Sequence, residues 1–256
     1  MDVTIEDLRK TAQRKVPKAF YDYLHSGSWT ESTMASNHDD LQKVIFRQKV
    51  AVDMSNRSLS TTMVGQPVSM PLALAPVGFT GMQHANGEIL AAQAAEKFGA
   101  PFSLSTMSIC SIEDVAENTT QPFWFQLYFM RDRDFMEDLL KRAHDAGCSA
   151  LIVTLDLQMT GVRIDTYRDG MAGHSLSAKI KSALEMALHP VWGIEMLMGG
   201  KYTFGNIVGH AKTVGGLGDV AGWVDSQFDQ TLSYAELDWI RKRWDRKIIL
   251  KGIMDK

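Results

Sequence analysis

Four apolar runs in this chain carry side chains that chemistry can use. "APFSLST" closes on Ser105 and Thr106, "PFWFQLYF" holds Gln126 and Tyr128, "SALIVTLD" holds Thr154 and Asp156, and "KIILKG" brings Lys251 to its end. Gln126 and Tyr128 are two residues apart, as are Thr154 and Asp156, so on a strand each pair shares a face. An amide, a phenol, a hydroxyl and a carboxylate around one cavity suit a polar heterocycle and a small oxygenated substrate. A hydrophobic core would not select them. Lys251 admits three readings. A desolvated amine could form a Schiff base, as in a lyase barrel. A fixed cation could face an anionic cofactor or substrate. An ordinary lysine could snorkel out of the strand's last position.

The elements that must hold these groups follow from local signals. "TIEDLRKTAQRK" opens with Thr4 and Asp7 in capping spacing. Pro17 restarts the helix, and "KAFYDYLHSG" closes at Gly27. A polar stretch follows to about Asp40, then an irregular segment to Gly65. From Pro71 the chain alternates. The runs "PLALAPVG", "APFSLST", "PFWFQLYF", "SALIVTLD" and "KIILKG" are separated by the helical patterns "NGEILAAQAAEKFG", "SIEDVAEN", "RDFMEDLLKRAHDAG" and, late in the chain, "SYAELDWIRKRW". Ser111 and Asp114 form a second capping box. Continuous apolar runs between helices predict an α/β fold with a helix-covered parallel sheet. A TIM-type (β/α)8 barrel explains better than a doubly wound sheet why the runs end in polar groups, since a barrel's active site lies at the carboxyl ends of its strands. Residues 1–65 read as an N-terminal helical and irregular segment, and 66–256 as the barrel region, interrupted by an insertion at about 157–232. Within the insertion, Ile180, Ala183, Leu184, Ala187 and Leu188 fall at helical spacing, which predicts a lid folded against the barrel. Trp192 to Met198 is apolar enough to dip into a membrane interface, so 176–200 is a candidate peripheral membrane contact.

The totals narrow the classes. The chain has 256 residues, 45% hydrophobic and 22% charged, with a net charge of −3, so nothing global supports nucleic-acid binding. Cys110 and Cys148 lie far apart, with no CxxC or Cys/His spacing. Neither a zinc site nor a disulfide framework is expected, and a reducing compartment fits. The seven histidines form no HxxxH or HExxH pattern, so no metal is expected. His84 follows a strand end, but nothing nearby completes a catalytic pair. "MDVTIEDLRKTAQRK" lacks an apolar signal-peptide core, and no apolar run reaches the roughly 18 residues of a membrane span. The expected location is cytoplasmic, or peripheral on the inner face of the cell membrane. "GLGDVA" matches G-x-G-x-x-A, but no apolar strand precedes it and Gly222-Trp223 follows in place of a helix, so a dinucleotide fingerprint is not expected.

The ordered motifs "VPKAFYDYLHSGS", "ALAPVG", "LSTMSICSIEDVA", "FWFQLY", "TLDLQMTGVR" and "ILKGI" resemble the FMN-dependent L-2-hydroxy acid oxidases and dehydrogenases. That family includes respiratory lactate dehydrogenase, glycolate oxidase and mandelate dehydrogenase. "GSWTEST", "GMQHANGEILAAQAAEKFG" and "TFGNIVGHAK" are most similar to the bacterial lactate dehydrogenase branch. The resemblance implies FMN as cofactor and oxidation of an L-2-hydroxy acid, L-lactate to pyruvate first among them, with quinone or oxygen as electron acceptor and a homo-oligomer when complete. It implies that the backbone of Ala75-Pro76-Val77-Gly78 lies along the flavin and that Ser105, Gln126 and Thr154 hydrogen-bond its ring. Lys251 would stand near the ring's anionic edge. Tyr23, Tyr128 and Arg163 would hold the substrate, and Asp156 would orient a catalytic histidine.

The departures matter too. Val77 stands where the family usually has a small polar residue, and "IDTYRDGMAGHS" strays from the branch. The family's "SNHGGRQ", "DGG" and "GR" segments are absent, so none of the seven histidines inherits the catalytic role. The expectation is a chain truncated at its C-terminus, with five of eight strands and negligible turnover by itself. A catalytically inactive barrel piece and a Lys251 Schiff-base lyase remain the alternatives.

Overall fold

The computed structural model describes residues 2–159, 161–168, 184–212, 214 and 217–255. The predicted helix positions Ile180 and Ala183 lie outside them. In chain order the elements are α1 (Ile5–Lys15), α2 (Lys18–His25), α3 (Ser32–Gln42), β1 (Thr61–Met63), β2 (Gln66–Val68), α4 (Thr80–Gln83), α5 (Gly87–Phe98), β3 (Ser103–Ser105), α6 (Ile112–Glu117) and β4 (Trp124–Tyr128). There follow α7 (Arg133–Asp145), β5 (Ala150–Thr154), α8 (Ile164–Arg168), α9 (Pro190–Gly199), α10 (Leu217–Gln227), α11 (Ala235–Arg241) and β6 (Lys247–Lys251). They belong to two compact units, one of residues 1–59 with 161–193 and one of residues 60–160 with 194–256.

In the first unit, α1 starts at the predicted capping box. Thr4 Oγ1 accepts from the Asp7 N–H at 3.1 Å, and the Asp7 carboxylate accepts from the Thr4 N–H at 3.0 Å. Pro17 separates α1 from α2, and the Arg9 guanidinium ties the two helices by donating to the buried Tyr21 hydroxyl at 2.9 Å. α3 lies in the stretch that the sequence marks only as polar. It buries no residue, so it has no apolar face from which a helical period could be read.

The second unit holds a four-stranded parallel sheet in the order β3-β4-β5-β6. Chain order and spatial order agree, with no switch point, which is how consecutive strands of a (β/α) barrel lie. Helices α6 and α7 fill the first two crossovers. α6 begins at the predicted Ser111–Asp114 capping box, and α5 ends at Gly99 with φ 80°. The run "PLALAPVG" is not a strand. Only Leu74 bridges, to Phe102, with its N–H donating to the Pro101 carbonyl at 2.9 Å. Pro71 and Pro76 bracket the run and lack the N–H a ladder needs, so the described sheet has four strands where five were expected. β6 is an edge strand that pairs with β5 only, and its Leu250 is 40% exposed.

The segment expected to be irregular up to Gly65 carries no helix or strand from residue 43 to 60, and it ends in a hairpin of β1 with β2. Its two turn residues, Val64 and Gly65, both have positive φ, the turn that matches strand twist. A valine there conceals the turn in the sequence. The hairpin sits against the amino ends of the strands, where Met63 and Val64 pack on Trp124, Ala150 and Ile152. Gln66 accepts from Trp124 Nε1 at 2.9 Å and donates to Ser149 Oγ at 2.8 Å. On the opposite face, Leu104, Phe125, Leu127, Leu151 and Val153 are fully buried. Cys110 and Cys148 are buried free thiols, and burial is the main cause that pushes both up to about 12, which makes them unreactive.

Candidate functional site

The sheet register places the predicted groups on one face. Ser105 is opposite Gln126, which is opposite Ile152. One step on, Tyr128 is opposite Thr154, which is opposite Lys251. These positions have the parity of Trp124, Ala150 and Ile249, so the face is apolar at its amino end and polar at its carboxyl end. Ser105, Gln126 and Thr154 are 2%, 1% and 3% exposed. Ser105 Oγ donates to Gln126 Oε1 at 3.2 Å, and Gln126 Nε2 donates to Thr154 Oγ1 at 2.9 Å. The Met107 N–H donates to Ser105 Oγ at 3.1 Å, which leaves the serine proton free to fix the Gln126 amide. Among the described residues, the second Gln126 N–H and the Thr154 hydroxyl proton have no acceptor. A buried row with two unspent donors matches the acceptor edge of a flat heterocycle. Tyr128 is half-buried and meets Phe228 edge-on at 6.4 Å.

Ala75, Pro76, Val77 and Gly78 form the loop that follows the Leu74 bridge. Val77 is 41% exposed, and its carbonyl accepts from Thr80 Oγ1 at 3.2 Å. The backbone N–H groups of Ala75, Val77 and Gly78 find no backbone acceptor among the described residues. Glu88, which reads as an ordinary helix-surface residue, is a buried clamp behind this loop. Its carboxylate accepts from the N–H groups of Gly81 at 2.9 Å, Ile109 at 3.0 Å and Cys110 at 3.4 Å. It thereby ties the 75–83 segment to the loop after β3.

Lys251 and Asp156 meet past the ends of β6 and β5, with Nζ 3.6 Å from Oδ1 and side chains 43% and 49% exposed. The Schiff-base alternative needs a desolvated amine, and this one is solvated and beside a carboxylate. Among the described residues no histidine pairs with Asp156. His84 is exposed, with Nε2 3.9 Å from Glu195. Gly252 makes the Lys251–Asp156 approach feasible. Its φ is 101°, and a Cβ there would stand 2.5 Å from Asp156 Cγ.

Tyr23 and Arg163 meet in the first unit. The Arg163 guanidinium lies 4.7 Å from the Tyr23 ring centroid and donates to the Tyr23 carbonyl. Burial pushes the Tyr23 phenol up, with the Arg163 charge opposing. The phenol therefore keeps its proton and can donate.

The insertion is only partly as expected. Leu184 and Leu188 are 63% and 74% exposed, where a lid helix would bury them. Trp192 and Met196 are buried, Trp192 stacking on Phe20 at 5.4 Å, so they are not presented to a membrane. Val191, Ile194, Leu197 and Met198 are exposed on α9. Gly222-Trp223 lies inside α10, which corrects the expectation that no helix follows "GLGDVA". Gly215 and Gly216 lie outside the described residues. Among the described residues no helix is long and apolar enough to cross a membrane, and no group of three His, Cys, Asp or Glu could hold a metal ion.

The family profile described as FMN-dependent dehydrogenase matches residues 12–256. An L-lactate dehydrogenase of Acinetobacter baumannii is 43% identical over 250 residues, covering 97% of this chain and 65% of the relative. One from Acinetobacter baylyi is 41% identical over the same share. The chain thus spans about two thirds (65%) of the length of the curated relatives it matches. A crystal structure of the monotopic membrane protein (S)-mandelate dehydrogenase superposes with a TM-score of 0.89 at 32% identity, over 100% of this chain and 68% of that one. Mandelate oxidase superposes with a TM-score of 0.75 at 27% identity, over 100% of this chain and 64% of that one.

Proposed function

Since the chain belongs to the FMN-dependent dehydrogenase family, we propose that it holds FMN at the carboxyl ends of β3 to β6 and serves the oxidation of an L-2-hydroxy acid, L-lactate to pyruvate first among them. The observation that carries this reading is the buried Ser105–Gln126–Thr154 row, with two unspent donors, on the same sheet face as Lys251. FMN bound there would supply the acceptor for the hydrogen and electron pair leaving the substrate's α-carbon.

The chain's own residues divide the remaining work. Gln126 and Thr154 hold the ring by their free donors, and Ser105 keeps the Gln126 amide in the donating orientation. The backbone of Ala75, Pro76, Val77 and Gly78 would lie along the cofactor, a contact that would survive a valine side chain at 77. Lys251 supplies a fixed positive charge that favours the electron-rich form of the cofactor. The Asp156 carboxylate is suited to orient and charge-stabilise a base histidine. For Tyr23, Tyr128 and Arg163 the support is their family motifs and their own geometry. Arg163 offers a planar fork suited to a carboxylate, and Tyr23 and Tyr128 offer phenol donors to a carboxylate or hydroxyl.

Quinone or oxygen would take up the electrons, and the complete protein would be a homo-oligomer. A peripheral contact with the cell membrane through 176–200 is favoured by the exposed Val191, Ile194, Leu197 and Met198, and the similar (S)-mandelate dehydrogenase is a monotopic membrane protein.

Titration of the FMN-loaded chain with L-lactate, read in the flavin absorption band, tests the substrate class. A saturable band shift is expected, stronger than with D-lactate or propionate. Equal and unsaturable responses to all three would overturn it.

A further inference from the structure

We propose that Asn206, contributed by the long insertion, is a positioning residue that locks the loop after β3 and thereby the donating orientation of the Ser105–Gln126–Thr154 row. The inference rests on the flavin reading of that row. Asn206 is fully buried, and its amide is fully used. Oδ1 accepts from the Ile112 N–H at 2.9 Å and from Arg142 Nη2 at 3.3 Å. Nδ2 donates to Ser108 Oγ at 2.9 Å and to the Ser105 carbonyl at 3.4 Å. Ser108 Oγ passes its own proton to the Cys110 carbonyl at 2.7 Å. One side chain therefore joins the first N–H of α6, the arginine of α7, the last residue of β3 and Ser108 in the loop that follows it. The Ser105 it holds by the carbonyl is the residue whose hydroxyl orients Gln126.

The segment around Asn206 is shaped to bring it there. Phe204 is buried and meets Phe79 edge-on, with ring centroids 4.5 Å apart. The Gly205 N–H donates to the Ile109 carbonyl at 3.1 Å, and a Cβ on Gly205 would stand 2.7 Å from that oxygen. Ile207 is fully buried. Residues 204–207 are thus a wedge driven in beside the site, not part of a free lid. Arg142, 11% exposed and paired to Glu113 at 2.7 Å, braces the wedge from the other side. An asparagine suits the position because it must accept on one side and donate on the other. An aspartate could accept from Ile112 and Arg142 but would oppose the Ser105 carbonyl.

Asn206→Asp separates the two sides. Hydrogen exchange of residues 105–110 is expected to rise about tenfold while that of β5 is unchanged. The dissociation constant for FMN is expected to rise about tenfold, with a shift in the bound flavin band. Unchanged exchange in 105–110 with unchanged FMN affinity would overturn the proposal. Ser108→Ala, a smaller change, should raise the FMN dissociation constant about threefold by the same route, and it carries the test if Asn206→Asp does not fold. An unsubstituted chain that takes up no FMN overturns the flavin reading instead, and the exchange measurement alone then decides whether Asn206 holds the loop.

Discussion

Replacing Gln126 with leucine is expected to weaken FMN binding about 100-fold while the sheet stays folded. Leucine roughly matches the volume of the buried side chain, so β4 keeps its packing. What is lost is the amide that accepts from Ser105 and donates to Thr154. The proposed hydrogen bond to the ring disappears, and the two flanking hydroxyls lose the partner that aims them. Together these cost about 2–3 kcal/mol of binding, which is where the factor of about 100 comes from. The fold itself should lose about 1–2 kcal/mol from the hydroxyls left unsatisfied. Fluorescence titration of FMN into both proteins reads the first effect, and urea unfolding reads the second. Equal dissociation constants would show that the row does not face the cofactor.

Gly252→Ala is expected to lower the unfolding midpoint by about 3–10 °C and to open the Lys251–Asp156 pair. The φ of 101° disfavours any side chain, at a cost of about 1–3 kcal/mol. The added methyl would also stand 2.5 Å from Asp156 Cγ and 2.6 Å from its Oδ1. Either the carboxylate or the end of β6 must move, and β6, paired on one side only, yields more easily. Gly147→Ala provides the comparison. Gly147 has a φ of 79°, but a methyl there would meet nothing within 4 Å, so it carries backbone strain without the clash. The excess loss at Gly252 isolates the close approach to Asp156, and equal losses at both glycines would dismiss it.

The sequence made the local features legible. The capping boxes at Thr4 and Ser111, the Gly99 helix end and the two-residue period that puts Gln126 and Tyr128 on one face depend on neighbours a few positions away. Features set by distant contacts were hidden. Glu88 sits in a helical pattern that would expose it, and only the fold brings Gly81, Ile109 and Cys110 around it. Asn206 lies 101 residues from Ser105. Its one local trace is the glycine and flanking apolar residues of "TFGNI". Gly252 was visible as a glycine after a lysine, but its φ and its contact with Asp156 exist only when β5 and β6 lie side by side. Leu74 failed to extend into a strand because Pro71 and Pro76 bracket it, a signal the apolar run overshadowed.

On the reading proposed for the site, β3 to β6 of this chain hold a flavin ring. The most direct test of that reading is the visible absorption spectrum of the purified chain after incubation with FMN and gel filtration. The flavin band is expected to elute with the protein at close to one equivalent, and Gln126→Leu is expected to lose it. A folded chain that elutes free of flavin would show that these strands do not hold the ring.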